Sequence, residues 1–365
     1  MPSAIASSPD VRANYAALDG LRGFAVLLVF CVHAAGNAGS VFLHMNFSTF
    51  RSLSSNDERI LFWLYRSHHG VFLFFVLSGF LIGRMWWPKA VMPYSAFTWR
   101  RTLRIYPAFL AAFALSLVFS YARGDWNPPD WPRLAGNLLF LNGLPGMPVM
   151  PFNPVTWSLF YEMAFYLAFP LLVMGGRYAS PAKVRWLPWL GIGLPGLAVT
   201  AGADSLHLCW LLLFCGVAAA MYERELRIGA NRIPTALVVL AYLAVTTVGM
   251  LDVLPAPPVF LAFGAAAVLV LGKCIASDGN AISATFKTRP LVLLGRVSYS
   301  FYLVHFMIVV LVAHLLAPHR DNFGPVVGTV LLFVIGFALS VIAAAILWRL
   351  AERPYFVWAR SSRRT

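Results

Sequence analysis

The chain has 365 residues, 60% of them hydrophobic and only 12% charged, with a mean hydropathy of +0.73. Soluble domains are usually about 25% charged, so a soluble enzyme is excluded and no stretch is polar enough to form a separate soluble domain. The formal net charge of +14 marks the cytoplasmic loops of a membrane protein rather than a nucleic-acid partner, because Lys and Arg fall between apolar runs and no basic run is interleaved with aromatics.

In chain order, residues 1–17 read as a short cytoplasmic tail. Ten apolar segments follow, near 18–37, 69–87, 102–122, 154–174, 186–202, 205–222, 234–251, 257–272, 290–317 and 324–350. A span needs roughly 20 apolar residues. The fifth and sixth are short and closely joined, and the last two exceed the minimum and are expected to tilt. The fold class is therefore all-α, a polytopic integral-membrane helix bundle of about ten transmembrane helices. It forms one domain over 18–358, followed by a basic cytoplasmic tail at 359–365. Ala34-Ala35-Gly36 resembles a cleavage site, but the apolar run is longer than a signal-peptide core, and the segment is expected to be retained. With the N-terminus inside, Arg22, Arg84, Lys89, Arg101 and most other basic residues are cytoplasmic. Arg51, Arg59, Arg66, Arg123, Arg133 and Arg320 fall outside, and Arg296 lies within a span. That bias supports an even number of spans with both termini in the cytoplasm. The long external segments are 38–68 and 123–153. In the second, Trp131 to Leu144 reads as a short amphipathic helix that lies on the membrane or caps a cavity. Cys31, Cys209, Cys215 and Cys274 lie in or beside apolar segments without a CxxC pair, the pattern of core thiols.

Helix rise places certain polar side chains at one depth. At about 1.5 Å per residue, His33 on the first span and His305 on the ninth reach similar levels, roughly 8 Å from the outer face of a core about 30 Å thick. Glu162 on the fourth span and Ser78 on the second lie about 12–13 Å below that face. Ionisable groups inside a bilayer are costly, so a functional role is the default reading. Each has a plainer reading too: a core histidine bonded to a carbonyl, a carboxylate tying helices together, or a serine easing close packing. A histidine beside a carboxylate suits general-base chemistry on a hydroxyl. No metal motif, G-x-S-x-G elbow or Walker loop is present. At the inner face Arg101 and Arg104 lie at i, i+3, on one side of a helix. Guanidinium forks suit phosphate, and a nearby helix N-terminus would add to the attraction; the plainer reading is a positive-inside anchor.

The ordered motifs are those of a family. Leu18-Asp19-Gly20-Leu21-Arg22-Gly23 with His33, and Gly70-Val71 followed by Phe74-Phe75-Val76-Leu77-Ser78-Gly79, form the first part. Arg100-Arg101-x-x-Arg104-Ile105-Tyr106-Pro107 and Thr156-Trp157-Ser158-Leu159-x-x-Glu162 continue it. Ser298-Tyr299-Ser300-x-Tyr302-Leu303-x-His305 and Glu352-Arg353-Pro354 complete it. Together they resemble the integral-membrane acyltransferase family 3, which decorates bacterial cell-surface sugars, lipids and some antibiotics. The resemblance implies transfer of an acyl group, usually acetyl, from acyl-CoA to a hydroxyl of a glycan or glycoconjugate at a bacterial inner membrane, with no permanently bound cofactor and no metal. It implies His33 as the leading catalytic residue, with Glu162 or Asp19 as its carboxylate partner, and Arg22, Arg101 and Arg104 as donor-binding residues. Ser78, Trp157, Ser158, Tyr299 and His305 are the substrate-binding candidates. One departure is Phe72, where family members often carry a polar residue shortly after Gly-Val.

The expected mechanism docks acyl-CoA phosphates on Arg101 and Arg104 and brings the thioester to His33. Depth favours Glu162 as the partner, because Asp19 lies about 20 Å away along the same helix. The alternative from another class is a transporter or flippase acting on a lipid-linked or small-molecule substrate without covalent chemistry. Transporters often carry inverted repeats, and none is evident here. Among enzymes, the alternative is an acyltransferase with a lipid donor, since a basic inner face also attracts anionic headgroups.

Overall fold

The computed structural model describes residues 9–45, 55–87, 92–179, 183–276 and 279–361. Arg51, Lys89 and the outer ends of both predicted tails lie outside the described residues. All regular structure among those residues is helical. The helices are α1 (Pro9–Phe42), α2 (Asn56–Tyr65), α3 (His69–Trp86), α4 (Tyr94–Ala122), α5 (Trp131–Leu138), α6 (Trp157–Ala179), α7 (Leu187–Thr200), α8 (Leu208–Met221), α9 (Glu223–Arg232), α10 (Thr235–Leu251), α11 (Ala256–Ile275), α12 (Ala281–Phe286), α13 (Arg289–Arg296), α14 (Ser298–Leu316), α15 (Arg320–Leu347) and α16 (Arg353–Ser361).

Each of the ten predicted segments falls on a helix, but not all are long enough to span. Among the described residues six helical stretches are long and apolar enough to cross a membrane, or seven if the pair Ser205–Met221 and Glu223–Arg232, bent by 89°, counts as one span. One of the six, Ser298–Trp358, contains both α14 and α15. Helices α7 and α8 have 14 residues each, short of the roughly 20 needed for a full crossing, and α10 has 17, at the lower end of the spanning range. The predicted ninth span is also cut. Non-helical Val297 separates the amphipathic α13 from α14, so Arg296 ends a short helix as an exposed side chain instead of lying inside a span.

The chain divides into two compact units, each taking part of α1 and of α6. The first contains α1 up to Val26, α3, α6 from Ala164 and α7–α13. Its helices meet through small residues. A Cβ on Gly79 of α3 would collide with the Leu213 carbonyl of α8, and one on Gly216 of α8 with the Val76 carbonyl of α3. One turn on, Gly83 faces Val217 and Ala220. This backbone-to-backbone approach is the usual way apolar helices gain packing energy in lipid, where no hydrophobic force drives them together. The same device explains the glycines of the first motif. Gly20 and Gly23 of α1 abut the carbonyls of Phe286 and Leu291, and Gly295 of α13 abuts that of Asp19. Gly79→Ala is expected to force α3 from α8 and cost about 1–3 kcal/mol, as overpacking does. Gly193→Ala, on α7 with no atom within 4 Å of the added carbon, is expected to be neutral or slightly stabilising. Thermal melts of both variants check this. At the end of α3, Arg84 forms a 2.8 Å ion pair with Glu223, which Arg227 also binds at 3.0 Å. Phe72 fills an aromatic cluster with Phe260 and Phe263, ring centroids 4.6 and 5.7 Å away, which accounts for an apolar side chain at that position.

The second unit contains α1 from Leu27, α2, α4, α5, the start of α6 and α14–α16. Its core gathers Phe30 with Phe301, Phe333 and Phe337. The segment 38–68, predicted to be external, contains α2. Ser55 and Glu58 form a reciprocal capping box at its start, a signal visible in Ser55-Asn56-Asp57-Glu58. The predicted helix 131–144 stops at Leu138. Phe140 adopts φ 59, rare for a bulky residue, and its buried ring packs 4.5 Å from Phe109 and 5.6 Å from Tyr106. The segment beyond is stitched together by Asn137, which donates to the carbonyls of Arg133 and Met150 and accepts from the Phe152 amide. Arg133 places its guanidinium 4.0 Å over the Phe152 ring.

Candidate active site

Two histidines of the second unit come together. His33 sits on α1, half-buried, and its carbonyl accepts a 2.9 Å bond from the Asn37 side chain one turn on. Its ring centroid lies 5.3 Å from that of His305 on α14 and 5.1 Å from Phe306, the latter at 82°, the edge-to-face arrangement aromatic rings prefer. Helix rise from the sequence set these histidines at a common level, and their contact agrees with it.

His305 is fully buried. Phe301 stacks on it at 5.6 Å and 12°. Its Nδ1 lies 2.9 Å from the Tyr302 carbonyl and 3.1 Å from the Phe301 carbonyl. Carbonyl oxygens only accept, so Nδ1 carries the proton and Nε2 presents a lone pair. Among the described residues no group hydrogen-bonds to that Nε2, although it is buried.

The segment leading into α6 is tied to α14 around His305. Asn153 donates to the Leu303 carbonyl at 2.7 Å. The Tyr302 hydroxyl donates to the Val155 carbonyl at 2.6 Å. That uses its single proton, so the 2.8 Å contact between Ser158 and Tyr302 has Ser158 as donor. Glu162 follows Ser158 by one turn on the same face of α6 and is half-buried. Trp157 opens α6, its ring 6.1 Å from Tyr161. Tyr299 donates to the Ile105 carbonyl at 3.1 Å. Of the candidates predicted from sequence, the second unit therefore brings together His33 and His305, with Ser158 joined through Tyr302.

Helix α14 starts without a side-chain cap of its own. Glu352 provides one from elsewhere. Buried in a π-helical turn at Trp348–Glu352, its carboxylate accepts the Ser300 amide at 3.0 Å and the Ser300 hydroxyl. A carboxylate at a helix N-terminus satisfies an orphan N–H and complements the dipole. The role of Glu352 is absent from its local sequence, because its partner lies 52 residues earlier.

Arg101 and Arg104 project from α4, half-buried, with Arg101 5.4 Å over Phe97 and Arg104 5.9 Å from Phe356. Stacking of this kind steadies guanidinium groups. The expected helix-dipole contribution does not apply. Helix α4 begins at Tyr94, two turns before Arg101, and the dipole acts within the first turn. Asp19, Arg22 and Ser78 belong to the first unit. Asp19 and Arg22 lie three residues apart on α1, where its backbone meets α13, and half-buried Ser78 precedes the tightly packed Gly79.

Residues 15–349 match the acyltransferase domain of the acyltransferase 3 family. Acyltransferase MdmB of Streptomyces mycarofaciens is 30% identical, over 80% of this chain and 78% of its own. The putative peptidoglycan O-acetyltransferase YrhL of Bacillus subtilis is 25% identical over 92% of this chain. The peptidoglycan O-acetyltransferase OatA of Listeria monocytogenes is 23% identical over 94%. The chain spans about half the length of the latter two, 54% and 56%. No solved structure matches it. With the match running through nearly all of its helices, the chain belongs to the acyltransferase 3 family and is a multi-pass membrane acyltransferase.

Proposed function

We propose that the protein transfers an acyl group, most simply acetyl, from acyl-CoA to a hydroxyl of an exported glycan or glycoconjugate, with His33 as the base. The observation that carries this reading is the meeting of His33 with His305, whose Nε2 lone pair is buried beside it. The names of the two peptidoglycan O-acetyltransferases support a glycan hydroxyl as acceptor. The protein sits in the plasma membrane with both termini in the cytoplasm, the donor entering from inside.

Arg101 and Arg104 hold the donor phosphates, with Arg22 as a further donor-binding residue. The pantetheine arm then carries the thioester from the inner face towards His33. As the acceptor oxygen attacks the thioester carbon, its proton passes to His33. The C–O bond forms, the C–S bond breaks, and His33 returns the proton to the departing thiolate, leaving an ester and free CoA. The Glu162 carboxylate stabilises the imidazolium that exists between these transfers. Trp157 and Ser158, at the start of α6, contact the acceptor.

The test is an assay of the purified protein in nanodiscs with labelled acetyl-CoA. Acceptor-dependent thiol release and a labelled ester are expected. Movement of an unmodified substrate without thiol release would overturn the proposal in favour of transport, and labelling only from an acyl lipid would overturn the CoA donor. In the same assay Arg101→Ala and Arg104→Ala are each expected to raise the KM for acetyl-CoA about tenfold or more with little change in kcat, since a hydrogen bond to a charged group contributes about 1.5–3 kcal/mol. Arg101→Lys is expected to restore only part of the loss, because an ammonium lacks the bidentate fork.

A further inference from the structure

We infer that His305 is the positioning residue for His33: its Nε2 accepts a hydrogen bond from a ring N–H of His33, fixing which His33 nitrogen faces the acceptor hydroxyl. This rests on the reading of His33 as the base.

Three observations carry it. First, the tautomer of His305 is set by its surroundings. Two carbonyls, of Phe301 and Tyr302, converge on Nδ1, so Nε2 can only accept. Second, that acceptor is buried and has no hydrogen-bond partner among the described residues. A buried acceptor left unpaired costs about 1–3 kcal/mol, a cost kept at sites that await a donor. Third, the donor is at hand. The ring centroids of His33 and His305 are 5.3 Å apart, which leaves about 3 Å, one hydrogen bond, between facing nitrogens. His305 is held by two hydrogen bonds and by the parallel Phe301 ring. His33 is half-buried and meets Phe306 only edge to face. The ring that turns is therefore that of His33, whose second torsion has a broad, shallow profile.

The result is a relay in which main-chain carbonyls polarise His305, His305 accepts from His33, and His33 takes the hydroxyl proton. It performs the orienting task that a carboxylate performs in the serine-protease triad. A neutral imidazole is far less costly to bury in hydrocarbon than a second carboxylate. Glu162 then acts on the charge of His33 rather than on its tautomer.

The test compares His305→Phe, which keeps the ring and its stacking but removes the acceptor, with His305→Gln, which keeps an acceptor near the position of Nε2. Both are measured in nanodiscs beside wild type and His33→Ala. His305→Phe is expected to lower kcat about 10²-fold or more with the KM for acetyl-CoA unchanged, and His305→Gln to stay within about tenfold of wild type. In ¹⁵N spectra of the histidine rings, wild type is expected to show His305 protonated at Nδ1 alone and His33 as one tautomer. In His305→Phe, His33 becomes a mixture. An unchanged kcat in His305→Phe, or His305 protonated at Nε2 in wild type, overturns the inference. If His305→Phe does not fold, His305→Gln and the wild-type spectrum still decide. Inactive His33→Ala beside fully active His305→Phe removes only the positioning role, whereas active His33→Ala removes the catalytic reading itself.

Discussion

Replacing His33 with Ala is expected to reduce acyl transfer by about 10²–10⁴-fold, the usual contribution of a general base, while expression and melting temperature stay near those of the parent. The loss is expected on kcat, because His33 lies on α1 whereas Arg101 and Arg104, the arginines proposed for the donor phosphates, lie on α4. The fold tolerates the change because the His33 ring is half-buried, with ring contacts to His305 and Phe306, and Ala is the best helix former. Stopped-flow detection of the released thiol, combined with a thermal melt, separates lost chemistry from lost structure. A melting temperature that falls together with activity would assign His33 to the core instead.

The second large effect is on stability. Glu352→Ala is expected to destabilise the protein by about 3 kcal/mol, because it leaves the Ser300 amide and hydroxyl buried without their acceptor. Glu352→Gln keeps an acceptor oxygen and is expected to lose less. Arg353→Ala alters an exposed side chain and is expected to leave the melt unchanged. The protein supplies its own reporter, since Cys209, Cys215 and Cys274 are free and buried and react with a thiol-specific dye only as the helices separate. Glu352→Ala is also expected to lower activity at temperatures where it remains folded, since the start of α14 lies two turns from His305 and a frayed start loosens the ring behind His33.

Much of this was legible in the sequence. The apolar runs marked the positions of helices, and counting residues from 18 and from 290 put His33 and His305 at one level, although the second count runs through the break at Val297. The capping box of Ser55 and Glu58 was readable as the start of α2 within segment 38–68. The break at Val297 was not, because the apolar character of 290–317 carries through it and only the backbone turns. The number of spans was not legible for a related reason: hydropathy registers α7, α8 and α10 as apolar but does not say where each helix stops. Arg101 lies beyond reach of the helix dipole because Tyr94 to Arg100, polar and aromatic, join α4 rather than precede it. Least legible were the partnerships of α14. The bonds of Asn153 to Leu303 and of Glu352 to Ser300 join residues far apart in the chain, and the proton position on His305 depends on carbonyls whose direction no residue pattern encodes.

The distance in sequence between α14 and its cap bears on how the protein is made. Translation delivers His33, then His305, and only some fifty residues later the carboxylate that completes the start of the histidine's helix. During that interval the nascent helix enters the bilayer with a polar amide unsatisfied. The histidine pair is thus completed late on the ribosome, and a product interrupted between α15 and the π turn carries both imidazoles without the carboxylate that caps α14.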